Sequence, residues 1–188
     1  MTQLGSRFEQ AVLYATHVHG GHMRKGTRIP YIAHLLAVAA LVLEDEGDED
    51  DAIAALLHDA AEDQGGRERL DDIRLRFGQR VAGIVEACSD TFETPKPPWR
   101  EWKQSYLEHL ESAPDEVLRV SLADKLHNIR AITLDYEHLG DQLWERFNPD
   151  SDQLWYYGAL AKLFSRRRPG LHAKELSRYV AELQEAMA

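Results

Sequence analysis

The sequence has few of the features that mark secreted or membrane proteins. It contains a single cysteine, Cys88, among 188 residues, so no internal disulfide can form, which suits a reducing cytoplasm. No run of about 18 apolar residues is present that could span a membrane. The start, MTQLGSR, lacks the charged and apolar regions of a secretory signal peptide. We therefore expect a cytoplasmic protein without a membrane partner.

Basic residues are also fewer than acidic residues. Lysine and arginine total 22 against 32 aspartate and glutamate, which gives a formal net charge of −10. Broad binding to a nucleic-acid polymer requires a basic surface, so this balance argues against it. A small anionic ligand is still compatible with the sequence, because it needs only a local basic patch and a metal ion.

Apolar residues recur at helical spacing along the chain, with no strand-like alternation, internal repeat or linker. The pattern predicts an all-α fold of about nine helices in one domain over residues 1–188, with a motif-bearing core over 8–134 and further helices over 135–188. Six helices are predicted at 31–44, 69–77, 80–89, 99–111, 151–164 and 172–187. Of the other three, one ends before Gly20, one begins with Asp50 and Asp51 as N-cap and first-turn acids, and one carries Pro114 in its first turn.

The most informative segment, residues 54–63, reads AALLHDAAED. Ionised carboxylates are costly to bury unless a charge or a metal compensates them. On a continuous helix, residues four apart share a face, so His58 would lie above Glu62, and Asp59 above Asp63. One pair could hold a metal while the other faces a substrate about one turn away. This layout is typical of metal-assisted hydrolysis.

Further metal ligands must come from other helices, because adjacent residues on one helix cannot fill a coordination sphere. Two candidates are His34, early in the helix that precedes His58, and Asp124, inside a later apolar helix. Imidazole and carboxylate donors suit a hard or borderline divalent cation.

The ordered set of His34, the pair His58 and Asp59, and Asp124 resembles the HD phosphohydrolase superfamily, which is named for its adjacent His-Asp pair. The resemblance implies an all-α HD-domain helical bundle with a metal ion held by these four residues.

Flanking motifs narrow the resemblance. Residues 19–25 (HGGHMRK), 30–34 (PYIAH), 56–63 (LLHDAAED) and 122–130 (LADKLHNIR) look like the RelA/SpoT-type hydrolase domain. The chain is similar to the stand-alone small alarmone hydrolases, which remove the 3′-diphosphate from guanosine tetra- and pentaphosphate, usually with manganese. The resemblance therefore implies a hydrolase with Mn²⁺ as its cofactor and a small anionic nucleotide as its substrate.

The site residues suit that chemistry. A metal can lower the pKa of a water and polarise a phosphoryl oxygen. Glu62 and Asp63, in the family position of the catalytic acidic pair, could orient or deprotonate the water and assist the leaving group. Arg24 and Lys25 could neutralise phosphate. Asn128 has donor and acceptor groups suited to the base or ribose.

Two later stretches supply further candidates. The stretch KPPWREWK could form a lid that brings Lys96, Arg100 or Lys103 to the distal phosphates, although a packed loop with solvated charges fits equally well. Tyr156 or Tyr157 could stack on a base or donate a hydrogen bond to phosphate, with core packing as the alternative. Of these residues, we select Lys103 and Tyr156 as predicted substrate contacts.

The chain departs from the family pattern at five positions: His22 replaces glutamine, Leu35 replaces proline, Ala61 replaces valine, Gln64 replaces threonine and His127 replaces tyrosine. No predicted ligand and neither acid is lost. These positions surround the substrate and therefore bear on the identity of the base and on the phosphate pattern.

Two alternative functions are compatible with the sequence. One is an HD nucleotidase or phosphodiesterase acting on another nucleotide or phosphate ester. The other is a metal-containing nucleotide-binding protein without turnover. The cations Arg24 and Lys25 and the acids Glu62 and Asp63 favour the alarmone hydrolase, since a bisphosphorylated substrate needs more cationic contacts.

Overall fold

The computed structural model describes residues 2–89 and 97–188. This part of the chain is all-α, as predicted, with ten α-helices, one 3-10 helix and no strand. One of the ten α-helices, α4, is only a single turn, so the prediction of about nine helices is confirmed. The helices are α1 (Ser6–Val18), α2 (Ile32–Glu44), α3 (Glu49–Leu57), α4 (Ala60–Asp63), α5 (Gly66–Phe77), α6 (Gln79–Cys88), α7 (Trp99–Ser112), α8 (Asp115–Leu139), the 3-10 helix (Gly140–Arg146), α9 (Gln153–Arg167) and α10 (Leu171–Ala186).

Helix α8 is the central element. Its 25 residues make it about 37 Å long, and it packs against α2, α3, α6, α9 and α10. Leu126 and Ile129 of α8 are almost fully buried, together with Leu35 of α2 and Ile53 of α3. Burying each such side chain stabilises the fold by about 1.5–3 kcal/mol. Residues near the middle of α8 are therefore held firmly against the ends of α2 and α3.

The beginning of α3 differs in detail from the prediction. Its N-cap is Asp48, whose carboxylate accepts a hydrogen bond from the backbone N–H of Asp51 at 3.0 Å. Asp51 accepts in return from the backbone N–H of Asp48, which completes a capping box. Asp50 and Asp51 therefore occupy the first turn, where acids are favourable near the positive helix end. Pro114, similarly, is the residue before α8 and not part of its first turn.

Asp51 also anchors α3 to the rest of the bundle. Its side chain is only 1% exposed and pairs with Arg80 of α6 at 2.8 Å and with Arg119 of α8. A buried carboxylate is tolerated only when it is paired in this way. The three-way contact fixes the start of the helix whose other end carries His58.

The predicted continuous helix through residues 54–63 is wrong. Helix α3 ends at Leu57, and α4 begins at Ala60. Nδ1 of His58 lies 2.8 Å from the carbonyl oxygen of Ala55, which in a continuous helix would accept the backbone N–H of Asp59. The side chain of His58 thus competes for a helical hydrogen-bond acceptor. His58 and Asp59 consequently lie on a turn between two helices.

Cys88 is buried at the end of α6, in agreement with its interpretation as a core residue. Within residues 2–89 and 97–188, no helix is long and apolar enough to cross a membrane.

Candidate metal centre and adjoining cleft

The structure brings together the four predicted metal ligands from three regions of the chain. His34 lies in the first turn of α2, His58 and Asp59 on the turn after α3, and Asp124 in the middle of α8. Nε2 of His34 is 3.2 Å from Oδ1 of Asp124, and Nε2 of His58 is 3.0 Å from Oδ2 of Asp59. The crossed distances are 3.6 Å for His34 to Asp59 and 3.5 Å for His58 to Asp124.

The donor atoms of this cluster fit a divalent metal ion. Nε2 of His34 and Nε2 of His58 are buried and have no hydrogen-bond partner among the described residues. A carbonyl oxygen only accepts, so Nδ1 of His58 is the donor to Ala55, and in the neutral ring the lone pair is on Nε2. Two imidazole nitrogens thus face two carboxylates inside the protein, which is an arrangement that a divalent cation satisfies.

Neighbouring side chains hold the two carboxylates in place. The hydroxyl of Tyr31 donates a hydrogen bond to Oδ2 of Asp59 at 2.6 Å. On α8, Nδ2 of Asn128 donates to Oδ1 of Asp124 at 2.6 Å, and Nζ of Lys125 donates to Oδ2 at 2.7 Å. Such outer contacts fix the orientation of metal-binding carboxylates. The sequence did not single out Tyr31 or Lys125, although both lie within the recognised motifs.

The electrostatics of the cluster favour the binding of a cation. Burial acts to raise the pKa of Asp59, but His58 and His34 outweigh it and hold this pKa well below its usual value. The pKa of Asp124 is also held low, chiefly by Lys125 against the same effect of burial. Burial acts to lower the pKa of His58, yet Asp59 and Asp124 raise it well above normal. Two ionised carboxylates in a poorly solvated place thus attract a cation.

A further histidine lies directly beside the cluster. His19 is 3% exposed and stacks on Tyr31 with ring centroids 5.1 Å apart, and no described residue forms a hydrogen bond with either of its ring nitrogens. Burial lowers the pKa of His19 to about 4, so the ring is neutral near pH 7. It packs against the ring of Tyr31, whose hydroxyl contacts Asp59.

The predicted acidic pair lines the same cleft as the ligand cluster. Glu62 and Asp63, on α4, border a cavity of about 260 Å³ together with Asp59 and Asp124. We call this cavity the acidic lobe. The remaining residues of its wall are Tyr31, Cys88, Trp99, Trp102, Lys103, Lys125, Asn128, Gln153, Tyr156 and Tyr157.

A second cavity of about 330 Å³, the basic lobe, adjoins the acidic lobe. Arg24 and Lys25 line it, as do Phe147 and the aliphatic side chain of Ile29. Nζ of Lys25 lies 5.9 Å from the ring centroid of Phe147. The lobes share three wall residues: Tyr31, Asn128 and Tyr157. A ligand that crosses these shared residues would contact cations and rings at one end and the ligand cluster at the other.

The loop that carries Arg24 and Lys25 depends on Gly26. This glycine has a φ of +70°, and a Cβ atom at this position would lie 2.6 Å from Cδ of Arg146. Arg146 is in turn paired with Asp135 of α8 at 2.7 Å. The absence of a side chain therefore lets the loop pack against the wall of the basic lobe.

The later candidates separate into two groups. Lys103 and Tyr156 both line the acidic lobe, with Nζ of Lys103 4.9 Å from the Tyr156 ring centroid. Tyr157 borders both lobes. Arg100 lies elsewhere, because its guanidinium stacks on the ring of Trp155 at 3.5 Å. Lys96 is outside the described residues.

The fold and the site define a class of protein: a helical bundle that assembles histidine and aspartate donors for a divalent metal ion from three separated segments. The chain belongs to the HD domain family, whose model matches residues 11–147.

Comparison with known proteins gives two groups of relatives. The Xenopus tropicalis protein named guanosine-3′,5′-bis(diphosphate) 3′-pyrophosphohydrolase MESH1 is 38% identical over 124 residues, covering 64% of this chain and 66% of the relative. The bifunctional (p)ppGpp synthase/hydrolase SpoT of Escherichia coli K12 is 33% identical over 132 residues, covering 67% of this chain and 18% of SpoT. The chain thus matches just under two thirds of the MESH1 protein and a small part of SpoT.

A solved structure shares the fold over its full length. It is described as a metazoan ortholog of SpoT that hydrolyses ppGpp and plays a role in starvation responses. It superposes with a TM-score of 0.80 at 21% identity and covers 100% of both chains.

Proposed function

We propose that the chain is a metal-dependent nucleotide pyrophosphohydrolase that removes the 3′-diphosphate of guanosine tetra- or pentaphosphate. The observation that carries this proposal is the two-lobed cleft, in which a basic lobe joins the ligand cluster and an acidic pair. The substrate class follows the activities given in the names of the MESH1 and SpoT relatives. We place the enzyme in the cytoplasm, in agreement with its single, buried cysteine.

In this proposal, His34, His58, Asp59 and Asp124 hold the metal ion, which we take to be Mn²⁺. Two nitrogen and two carboxylate donors suit this borderline-to-hard cation. When bound, it supplies a Lewis acid that polarises a phosphoryl oxygen and acidifies water. The hydrogen bonds from Tyr31, Asn128 and Lys125 restrict the orientation of the two carboxylates.

The acidic pair transfers the protons of the reaction. Water attacks the phosphorus atom bonded to the ribose 3′-oxygen, and the bond between that oxygen and phosphorus breaks. Glu62 and Asp63 line the cavity beside the ligand cluster, where they orient the water, accept its proton and assist protonation of the leaving oxygen. The products are GDP and pyrophosphate from guanosine tetraphosphate. Lys103 and Lys125 in the same cavity offset the charge of the departing diphosphate.

The basic lobe takes the nucleoside and its 5′-phosphates. Arg24 can bind phosphate through its planar fork, and Lys25 acts as a point charge. The partly exposed ring of Phe147 offers a flat surface for the base. Asn128 lies at the junction of the lobes, where its amide faces both the ligand Asp124 and the nucleotide path.

The test is a hydrolysis assay with guanosine tetraphosphate and Mn²⁺, in which chromatography follows GDP and pyrophosphate. We expect both products to form and both to disappear with EDTA or with Asp59→Ala. A parallel panel of nucleoside monophosphates, triphosphates and adenosine alarmones separates this activity from that of a general nucleotidase. Tight nucleotide binding without turnover in metal-loaded protein would instead indicate a nucleotide sensor.

A further inference from the structure

Two histidines meet behind the ligand cluster. Nδ1 of His34, on α2, lies 2.8 Å from Nδ1 of His127, on α8. The ring centroids are 4.9 Å apart and the rings are inclined by 43°. Two nitrogens this close form a hydrogen bond only if one carries a proton and the other presents its lone pair.

The opposite nitrogen of His34 decides which atom is the donor. Within residues 2–89 and 97–188, Nε2 of His34 is buried and has no hydrogen-bond partner, and it faces the carboxylates of Asp124 and Asp59 at 3.2 and 3.6 Å. If Nε2 is to bind a metal ion, its lone pair must be free, so the proton of neutral His34 must be on Nδ1. Nδ1 of His127 is then the acceptor, and the proton of His127 is on its Nε2.

We propose that His127 is a positioning residue for the metal centre: it accepts the Nδ1–H of His34 and so fixes the tautomer and the ring orientation of this ligand. The inference depends on the metal-binding part of the proposed function and not on the identity of the nucleotide. For His58 the equivalent acceptor is a backbone carbonyl, that of Ala55. For His34 it is a side chain, and mutation can therefore remove it.

His127 connects the part of the ligand cluster on α8 to the part on α2. Asp124, Asn128 and His127 all lie within about one turn of α8. This turn thus presents one carboxylate to the cluster, supports it through Asn128, and orients His34 on a different helix. The family pattern has tyrosine here, whose polar atom lies at the far end of a larger ring. The imidazole places its acceptor next to Cγ, within reach of His34.

A matched pair of variants tests the role of the acceptor. The amide oxygen of asparagine can take a position close to that of imidazole Nδ1, whereas the longer glutamine places its amide near that of Nε2. Isothermal titration of EDTA-treated protein with Mn²⁺ alone measures the dissociation constant. We expect His127→Gln to weaken binding about 10-fold or more, within the range seen for outer contacts of metal ligands. We expect His127→Asn to bind within about threefold of the unchanged protein, because it keeps the acceptor.

Two results would overturn the inference. Unchanged affinity in a folded His127→Gln protein would show that the contact does not orient His34, and equal weakening in both variants would show that ring packing matters instead. Thermal unfolding of the metal-free variants checks that both fold.

Histidine ¹⁵N spectra of the zinc-loaded, diamagnetic protein give an independent readout that needs no variant. We expect the proton of His34 on Nδ1 and that of His127 on Nε2, and the reverse assignment would contradict the proposal. Neither measurement uses a nucleotide, so failure of the alarmone assay alone would leave the inference intact.

Discussion

The side chain of Gln64 contacts that of His22, with Nε2 of the amide 3.0 Å from Nδ1 of the imidazole. Both residues depart from the family pattern, which has threonine and glutamine at these positions. The contact connects the loop that carries Arg24 and Lys25 to the end of α4, immediately after Asp63. The two departures are therefore in contact, and together they link the basic lobe to the acidic pair.

The first prediction concerns this link. Gln64→Ala removes a partly buried hydrogen bond worth about 1 kcal/mol, so we expect kcat/KM to fall about fivefold. His22→Ala should have a similar effect, and the double variant should be no worse than either single variant. A double-mutant cycle measures this coupling. Additive losses in the double variant would show that the two side chains act separately.

The second prediction separates proton transfer from metal binding. Glu62→Gln and Asp63→Asn keep the size of each side chain but remove its ability to accept a proton. Turnover should fall about 100-fold or more in at least one variant, while the metal content of the protein, measured by mass spectrometry, stays unchanged. Full activity in both variants would refute the assignment of these acids.

The third prediction concerns the anchor of α3. Asp51→Ala removes the buried partner of Arg80 and Arg119, but both arginines are partly exposed and keep other carboxylate partners. We therefore expect a loss of about 1–3 kcal/mol, as for other buried hydrogen-bonded groups. Asp71→Ala is the matched control, because the Asp71 side chain is 73% exposed and pairs with Arg74 at the surface. The control should lose less than about 1 kcal/mol. Urea unfolding compares the two, and equal losses would contradict the proposed anchor.

The fourth prediction is a pH dependence on the face of the protein formed by α1 and α5. The hydroxyl of Tyr14 donates to Oδ2 of Asp72 at 2.6 Å, and this hydrogen bond is the main cause that lowers the pKa of Asp72. A carboxyl whose pKa is lower in the folded state stabilises the protein above its unfolded pKa of about 3.9 and loses this effect as the pH falls through the folded value.

Tyr14→Phe should therefore be less stable than the unchanged protein near neutral pH, and the difference should shrink in acid. Urea unfolding at about pH 7 and about pH 3 measures it. A deficit of the same size at both pH values would show that the hydroxyl acts through packing and not through the ionised carboxylate.

The helix positions could be predicted because apolar spacing is a local signal. The resemblance to the HD superfamily predicted that His34, His58, Asp59 and Asp124 would lie together, as they do. The break at His58 could not be predicted, since it depends on a side chain that takes the carbonyl of Ala55. The N-cap Asp48 was missed because three more acids follow it at residues 49–51, and the sequence does not show which acid caps the helix.

Two supporting contacts of the site could not be read from the sequence, because they join distant segments. Tyr31 and Asp59 are 28 residues apart, and His34 and His127 are 93 residues apart. Which side chains meet across such distances depends on how α2 packs against α8. The packing of α7 against α9 likewise determines that Lys103 lines the acidic lobe, whereas Arg100 stacks on Trp155.

The most direct test of the account is hydrolysis of guanosine tetraphosphate in ¹⁸O-labelled water by the Mn²⁺-loaded protein, with both products analysed by mass spectrometry. The account predicts unlabelled GDP and pyrophosphate that carries one ¹⁸O atom, because water attacks phosphorus and the 3′-oxygen remains with the ribose. Release of orthophosphate, label in the GDP, or no turnover in protein shown to contain metal would contradict it.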